Sequence, residues 1–424
     1  MPILLKNTKK SINIKNIISL IKKNHTPMWI YDAEIIQNQI KKLKQFDVIR
    51  YAQKACSNIH ILKILRKSNI KIDAVSIGEI ERALTAGFTP KNNEIIFTAD
   101  LFDRVTLLKI VDLKITINAG SIDMLEQIGK VSPGHHVWLR INPKFGHGHN
   151  KKTNTGGENS KHGIWDTSLA MSIIKKYNLK LIGLHMHIGS GSDFYHLQKV
   201  CNAMVNEVLE LNHDIMSISA GGGLPIPYHP NDMEINTKKY YQLWDNARKK
   251  IANHLKHPIE LEIEPGRFLI AESGMLLTEV RAVKKMGKNH FVLIDAGFND
   301  LIRPTMYGSY HHISAFSKNG NPIKTGKKIN TIVGGPLCES GDIFTQTEKG
   351  DIQTRNLPIL KTGNYLIFHD TGAYGASMSS NYNSRPLIAE ILFKNNTFYT
   401  IRKRQTTSDI FKLETECHIP QSIL

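Results

Sequence analysis

The chain has 424 residues, 41% hydrophobic and 22% charged, with a formal charge of +18; this composition suits two folded domains and excludes a disordered or fibrous chain. No apolar run approaches the roughly 18 residues of a membrane span, and lysines interrupt the N-terminus where a signal peptide would be continuously apolar. A cytoplasmic protein with no membrane partner is expected. The positive charge is spread along the whole chain, without a zinc finger, basic helix or aromatic RNA-binding pattern, so no nucleic-acid partner is expected.

In chain order, strand-like apolar runs begin near residues 47 (DVIRYAQ), 70 (IKIDAVS), 94 (EIIFTAD), 114 (KITINAG), 135 (HHVWLRINP), 179 (LKLIGLHMHIG), 215 (IMSISAGGG) and 259 (IELEIEPGR). Between them lie stretches with apolar residues at three- and four-residue spacing, such as NIHILKILRKS, GEIERALTAGF and HLQKVCNAMVNEVLEL. Eight strands, each followed by a helix, predict an α/β chain built on a (β/α)8 TIM-type barrel. After about residue 275 the pattern changes to strands and turns without long amphipathic helices (HFVLIDAGF, INTIVGG, NYLIFHDTGAYG, EILFKNNTFYTIRKRQ), predicting a second, mostly β domain. The expected division is residues 1–30 packing with the β domain, 31–275 as the barrel and 276–424 as the β-rich domain.

A barrel gathers its chemistry at the C-terminal ends of its strands. The first predicted strand ends at Lys54, the sixth at His187 and Ser190, the seventh at Gly221, Gly222 and Gly223, and the eighth at Glu264, Pro265, Gly266 and Arg267. Three glycines let backbone amides approach an anion, and a helix start beyond them would add its positive end. The loop after the seventh strand is also the usual phosphate site of such barrels. A lysine in a partly desolvated pocket can form a Schiff base with an aldehyde. Phosphate, aldehyde and lysine together point to pyridoxal phosphate, whose pyridine nitrogen needs a carboxylate partner; Glu264 is the candidate. His187 can stack on the ring and Ser190 can donate to the phosphate. His185 and His187 alternate onto one side of a strand as metal ligands would, but no third ligand has matching spacing, and no metal centre is expected. The Gly-, Asn- and His-rich stretch 145–165 reads as a mobile cover, its histidines as solvated.

Four cysteines are scattered without CxxC spacing, which gives neither a disulfide framework nor a zinc cage. Cys338 stands apart because GGPLCESGD is a turn rather than a core run.

The set YAQKA, HMHIGSG, SAGGGL, EPGRF, GPLCESGD and DTGAYGASMSSNYNSRP resembles the fold-type III, alanine-racemase-like pyridoxal phosphate decarboxylases over nearly the whole chain and in the same order. The resemblance implies a cofactor-bearing barrel, a β domain, and a homodimer whose active sites are shared across the interface. It implies that Cys338, reaching the barrel mouth of the partner subunit, is the general acid that protonates the α-carbon. It also implies that Glu339 binds the distal ammonium of the substrate, that Tyr374 lies near cofactor and substrate, and that Arg267, Arg303 and Tyr307 clamp a distal carboxylate. Catalytic roles thus fall on Lys54, Cys338 and His187. Related ornithine- and arginine-type enzymes carry Asp after the equivalent Cys, whereas this chain has Glu339, and a diamine-forming enzyme has no need of the distal arginines. The implied reaction is decarboxylation of meso-2,6-diaminopimelate to L-lysine and carbon dioxide, with an ornithine- or arginine-type decarboxylase as the alternative. One departure stands out: many relatives have Asn two residues after the lysine, where this chain has Cys56.

Overall fold

The computed structural model describes residues 14–148, 151–191, 193–211, 213–323 and 326–419. They fall into two compact units: residues 37–227 with 231–270, and the chain before residue 37 with residues 228–230 and the chain after residue 270.

The first unit is a closed barrel of eight parallel strands: β1 (Val48–Ala52), β2 (Lys71–Ala74), β3 (Ile95–Ala99), β4 (Thr116–Ala119), β5 (His136–Ile141), β6 (Lys180–Met186), β7 (Ser217–Ser219) and β8 (Glu260–Ile263). β1 pairs with β8 to close it. The strands are short and almost wholly buried, as strands covered on both faces must be, which is why they read as continuous apolar runs. The helices begin where short polar side chains can accept an otherwise orphaned amide: Asn58, Ser76, Asp103, Ser121, Asp166 and Asn236 each cap one. The helix Phe194–Leu211 buries Leu197, Val200, Cys201, Met204 and Val208, a stripe at helical spacing. Burial pushes the Cys201 thiol up to about 12, so it is a packing residue with no thiolate chemistry at neutral pH. Inside the barrel, Arg50 holds Glu262 through two hydrogen bonds of 3.0 Å.

The second unit is a nine-stranded mixed sheet. Its early strand Met28–Asp32 pairs antiparallel with Gly274–Met286 and parallel with Ala389–Lys394. Met28, Ile30, Met275, Leu277, Ile367, Ile391 and Phe393 share one apolar core with Leu20 and Ile21 of the helix Ile14–Asn24. Beyond the expected strands, this unit also carries a helix, Thr407–Thr415, started by a capping box between Thr406 and Asp409. Among the described residues no helix is long and apolar enough to cross a membrane.

A buried carboxyl in the loop after Asn289–Ile294 gives a pH signature. Asp300 accepts the Gly297 amide at 3.1 Å, while its Oδ1 has no hydrogen-bond partner. Burial raises its pKa to about 7, with Arg385 only partly opposing. The folded state therefore keeps this proton longer than the unfolded chain does. The stability it contributes is full below about pH 4 and is lost as pH rises through about 7. Asp300→Asn should remove that slope: its melting temperature should exceed wild type above about pH 7, by up to roughly 4 kcal/mol of stability, and converge on wild type near pH 4. Parallel melting curves across that range would contradict the assignment.

Candidate active site

The C-terminal ends of the barrel strands bring the predicted residues of the first unit onto one rim. Lys54 sits in a single 3-10 turn, Gln53–Ala55, directly after β1. Gln53 and Ala55 are buried and Lys54 is exposed, so the turn lifts the amine out of the wall. The departure at Cys56 is absorbed locally: Cys56 is buried, and Asn58 caps the next helix through the His60 amide.

Glu264, just past β8, is buried. Its Oε1 accepts from the Ser219 hydroxyl at 3.2 Å, and its Oε2 lies 2.7 Å from His185 Nε2. Burial alone would raise this carboxyl, but the charge and contact of His185, together with Arg50 and Ser219, outweigh burial and hold it below the usual carboxylate range. Asp73, at the end of β2, behaves oppositely. Burial and then the charge of Glu264 raise it to about 6, against Thr98, Lys54 and His185. The two carboxyls are thus pushed apart, Glu264 staying anionic while Asp73 holds a proton more readily. Glu79, which accepts the Val75 amide at 2.9 Å and feels Asp73 and Lys54, is raised to about 7, mainly by burial. Arg140 on β5 is buried facing the charges of Asp100, Glu264 and Asp73. His187 is half-buried, and desolvation, followed by the charges of Arg140 and Lys54, lowers its pKa well below the usual range, so the ring is neutral at pH 7. A neutral imidazole can pack on an aromatic face without burying a charge.

The glycine loop is held by its neighbours. A Cβ on Gly221 (φ +60°) would sit 2.2 Å from the Met186 carbonyl, and one on Gly223 (φ +91°) would sit 2.4 Å from the Gly189 carbonyl and 3.4 Å from the His187 ring. Only glycine permits both the left-handed backbone and this approach. The helix expected to follow does not form there: Pro225, Pro227 and Pro230 intervene, and the next helix starts at Thr237 after the Asn236 cap. Anion binding at this loop must rest on loop amides and side chains. Arg267 supplies one such side chain, its Nε and Nη2 donating to Ser190 Oγ at 3.1 and 2.8 Å. That pairing places Arg267 beside Ser190 on the rim. Pro265 and Gly266 bring the chain close to β1, the Pro265 carbonyl accepting the Ala52 amide at 3.4 Å. An amine, a close-approach glycine loop with a serine and an arginine, and a carboxylate held anionic are the donor set that a phosphorylated pyridine aldehyde needs. The residues fit that group.

The remaining predicted residues belong to the β unit. Cys338 and Glu339 are exposed in the loop after the strand Lys328–Gly334. Asp342 shapes that loop by accepting the Leu337 amide at 2.8 Å and the Phe298 amide at 2.7 Å, and Asn383 accepts the Cys338 amide at 2.9 Å. Arg303 opens a short helix, Arg303–Tyr307. It is fully buried, with its guanidinium donating to the Tyr228 hydroxyl at 2.6 Å and the Ser309 hydroxyl at 3.1 Å. It is thus a fixed fork rather than a free surface arm. Tyr307 is half-buried, as is Tyr374, which is held at φ 59° between Ala373 and Gly375. A tyrosine with positive φ is uncommon and points to a positional demand on its side chain.

The expectation that the histidines of 145–165 are merely solvated is corrected for the two that follow. His162 Nδ1 lies 2.5 Å from Asp100 Oδ2, and Asp100 also accepts the Gly163 amide at 3.1 Å. His147 stacks on His196, with ring centroids 3.7 Å apart. His149 lies outside the described residues. The described part of this stretch is tied to the chain after β6 by His147 and Thr155 amides donating to the Ile188 carbonyl. Sequence reasoning also missed Asp73, Glu79 and Arg140. A polar residue within an apolar strand run, as in IKIDAVS and HHVWLRINP, was the available signal.

Comparison with known proteins agrees with this geometry. Residues 32–271 match the pyridoxal-dependent decarboxylase family, pyridoxal binding domain. The chain is 67% identical over 414 residues to the diaminopimelate decarboxylase of Buchnera aphidicola subsp. Schizaphis graminum, covering 98% of this chain and all of that one. It is 58% identical to that of Escherichia coli K12, with the same coverage. A crystal structure of diaminopimelate decarboxylase superposes with a TM-score of 0.95 at 57% identity, covering 98% of this chain and 100% of the other. That of Helicobacter pylori complexed with L-lysine gives 0.82 at 32% identity, covering 95% of this chain and 100% of the other. With its rim of Lys54, Glu264 and glycine loop, the chain belongs to the diaminopimelate decarboxylases, within the pyridoxal-dependent decarboxylase family.

Proposed function

We propose that this chain, with pyridoxal phosphate bound, converts meso-2,6-diaminopimelate to L-lysine and carbon dioxide, the last step of lysine biosynthesis, in the cytoplasm. The observation that carries the proposal is the buried Glu264, kept anionic between Ser219 and His185 on the same rim as Lys54. When bound, the cofactor supplies an electron sink for the pair left behind as carbon dioxide departs.

The chain's own groups divide the remaining work. Lys54 offers the amine that would hold the aldehyde. Glu264 keeps a proton on the pyridine nitrogen. Gly221, Gly222, Gly223, Ser190 and Arg267 bind the phosphate. Neutral His187 covers the ring without adding a charge. Cys338 holds a proton for the α-carbon, as a general acid. Glu339 attracts the distal ammonium, and Arg267 and Arg303 with Tyr307 and Tyr374 orient the distal carboxylate. The exposure of Cys338 and Glu339 supports their serving the barrel of a second copy in a homodimer. Neither a membrane nor a nucleic acid has a part in the proposed function.

The experiment is carbon dioxide release by the holoenzyme from diaminopimelate, ornithine and arginine in separate assays. The expected kcat/KM for diaminopimelate is at least about a hundredfold above either alternative, since both lack the second carboxylate. Equal or faster release from ornithine would contradict the assignment.

A further inference from the structure

A cluster outside the rim residues above has the composition of a metal site. His147 lies in the loop after β5, and Asp193 and His196 at the start of the helix Phe194–Leu211. One ligand atom from each of the three falls within 4.8 Å of the others. His196 Nδ1 is 2.9 and 2.8 Å from the two Asp193 oxygens, His147 Nε2 is 3.6 Å from Asp193 Oδ2, and the imidazoles are stacked within 10° of parallel. A tetrahedral ion with bonds of about 2.0–2.1 Å holds its ligand atoms about 3.3 Å apart. An ion must lie in the plane of each imidazole it binds, so ligation requires the two rings to rotate out of their parallel stack; the partly exposed site leaves room for that and for water as a fourth ligand.

We propose that His147, Asp193 and His196 bind a divalent late first-row transition ion. Two imidazoles and one carboxylate suit zinc, cobalt or nickel and do not suit the all-oxygen preference of magnesium or calcium. Helix capping accounts for only part of the cluster. Asp193 accepts the His196 amide at 2.9 Å, which accounts for the carboxylate's place at the helix start and not for the approach of His147 Nε2 to it at 3.6 Å. The ion would tie the loop that carries His147 to the first turn of the helix. The stretch Gly189 to Gly191, just before Asp193, carries Ser190, and a Cβ on Gly189 would sit 2.1 Å from the His147 carbonyl. Binding would brace the segment that presents Ser190.

The test is zinc titration of the chelator-dialysed, cofactor-loaded full chain by calorimetry, followed by zinc X-ray absorption at one equivalent. The expected results are about one zinc per chain and a shell of nitrogen and oxygen only. His147→Ala and His196→Ala should each weaken binding at least about tenfold. Asp193→Asn keeps a cap acceptor and loses the charge, so it should weaken zinc binding while preserving the helix by circular dichroism; this separates ligation from capping. A sulfur-containing shell, which would assign the ion to Cys338 or Cys417, would overturn the proposal. So would unchanged affinity in a folded His147→Ala/His196→Ala variant, or no zinc binding by wild type.

Discussion

Lys54→Ala is expected to lower kcat by at least about a thousandfold and to remove the visible absorbance of bound cofactor, while the chain remains folded. Lys54 is exposed in its 3-10 turn, with the buried contacts made by Gln53 and Ala55, so truncation opens no cavity. The effect should therefore appear in spectrum and rate, with the melting curve of the cofactor-free protein nearly unchanged. Electrostatics adds a secondary effect. The charge of Lys54 works against protonation of both Asp73 and Glu79, so its loss should move both carboxyls further upward. Lys54→Arg should restore that charge without restoring turnover, because a guanidinium is always protonated and is no nucleophile. A Lys54→Ala enzyme with near wild-type kcat would remove the lysine from the chemistry.

The second large effect is expected at Cys338. Cys338→Ala should keep the cofactor spectrum of wild type and lower kcat about a hundredfold or more, because proton delivery is lost while binding is retained. The loop should survive. The Cys338 contact to Asn383 is made by its backbone amide, which alanine also has, and Asp342 holds the neighbouring turn through Leu337 and Phe298. Product analysis in deuterated water should show slower and less stereoselective protonation at the α-carbon. Mixing Lys54→Ala with Cys338→Ala protein tests the shared-site proposal as well. If the thiol serves the partner's barrel, mixed dimers contain one intact site and part of the activity returns. Full activity of Cys338→Ala alone would assign the proton to another group.

Much of this architecture is written locally in the chain. Each barrel strand is a short apolar run bounded by polar residues, and each residue expected at a strand end lies on the rim because barrel geometry sends strand ends there. Glu264 and Lys54 could be named for that reason. Features that depend on contacts between distant segments were not legible. The opposite tuning of Asp73 and Glu264 requires β2, β6 and β8 to converge. The His147, Asp193 and His196 cluster joins a loop to a helix start with the helix Thr167–Lys176 and all of β6 between them. Arg303 is expected to clamp a carboxylate, but its burial against Tyr228 and Ser309 depends on partners that only the folded chain supplies. The absent helix after Gly223 was readable: the prolines in LPIPYHP forbid it.

The most direct measurement of the central claim is borohydride reduction of the holoenzyme, followed by protease digestion and mass spectrometry. The account predicts one pyridoxyl group per chain, carried by the peptide containing Lys54 and absent when diaminopimelate is present in excess before reduction. A pyridoxyl group on any other lysine, or no adduct in an enzyme that still releases carbon dioxide, would contradict it.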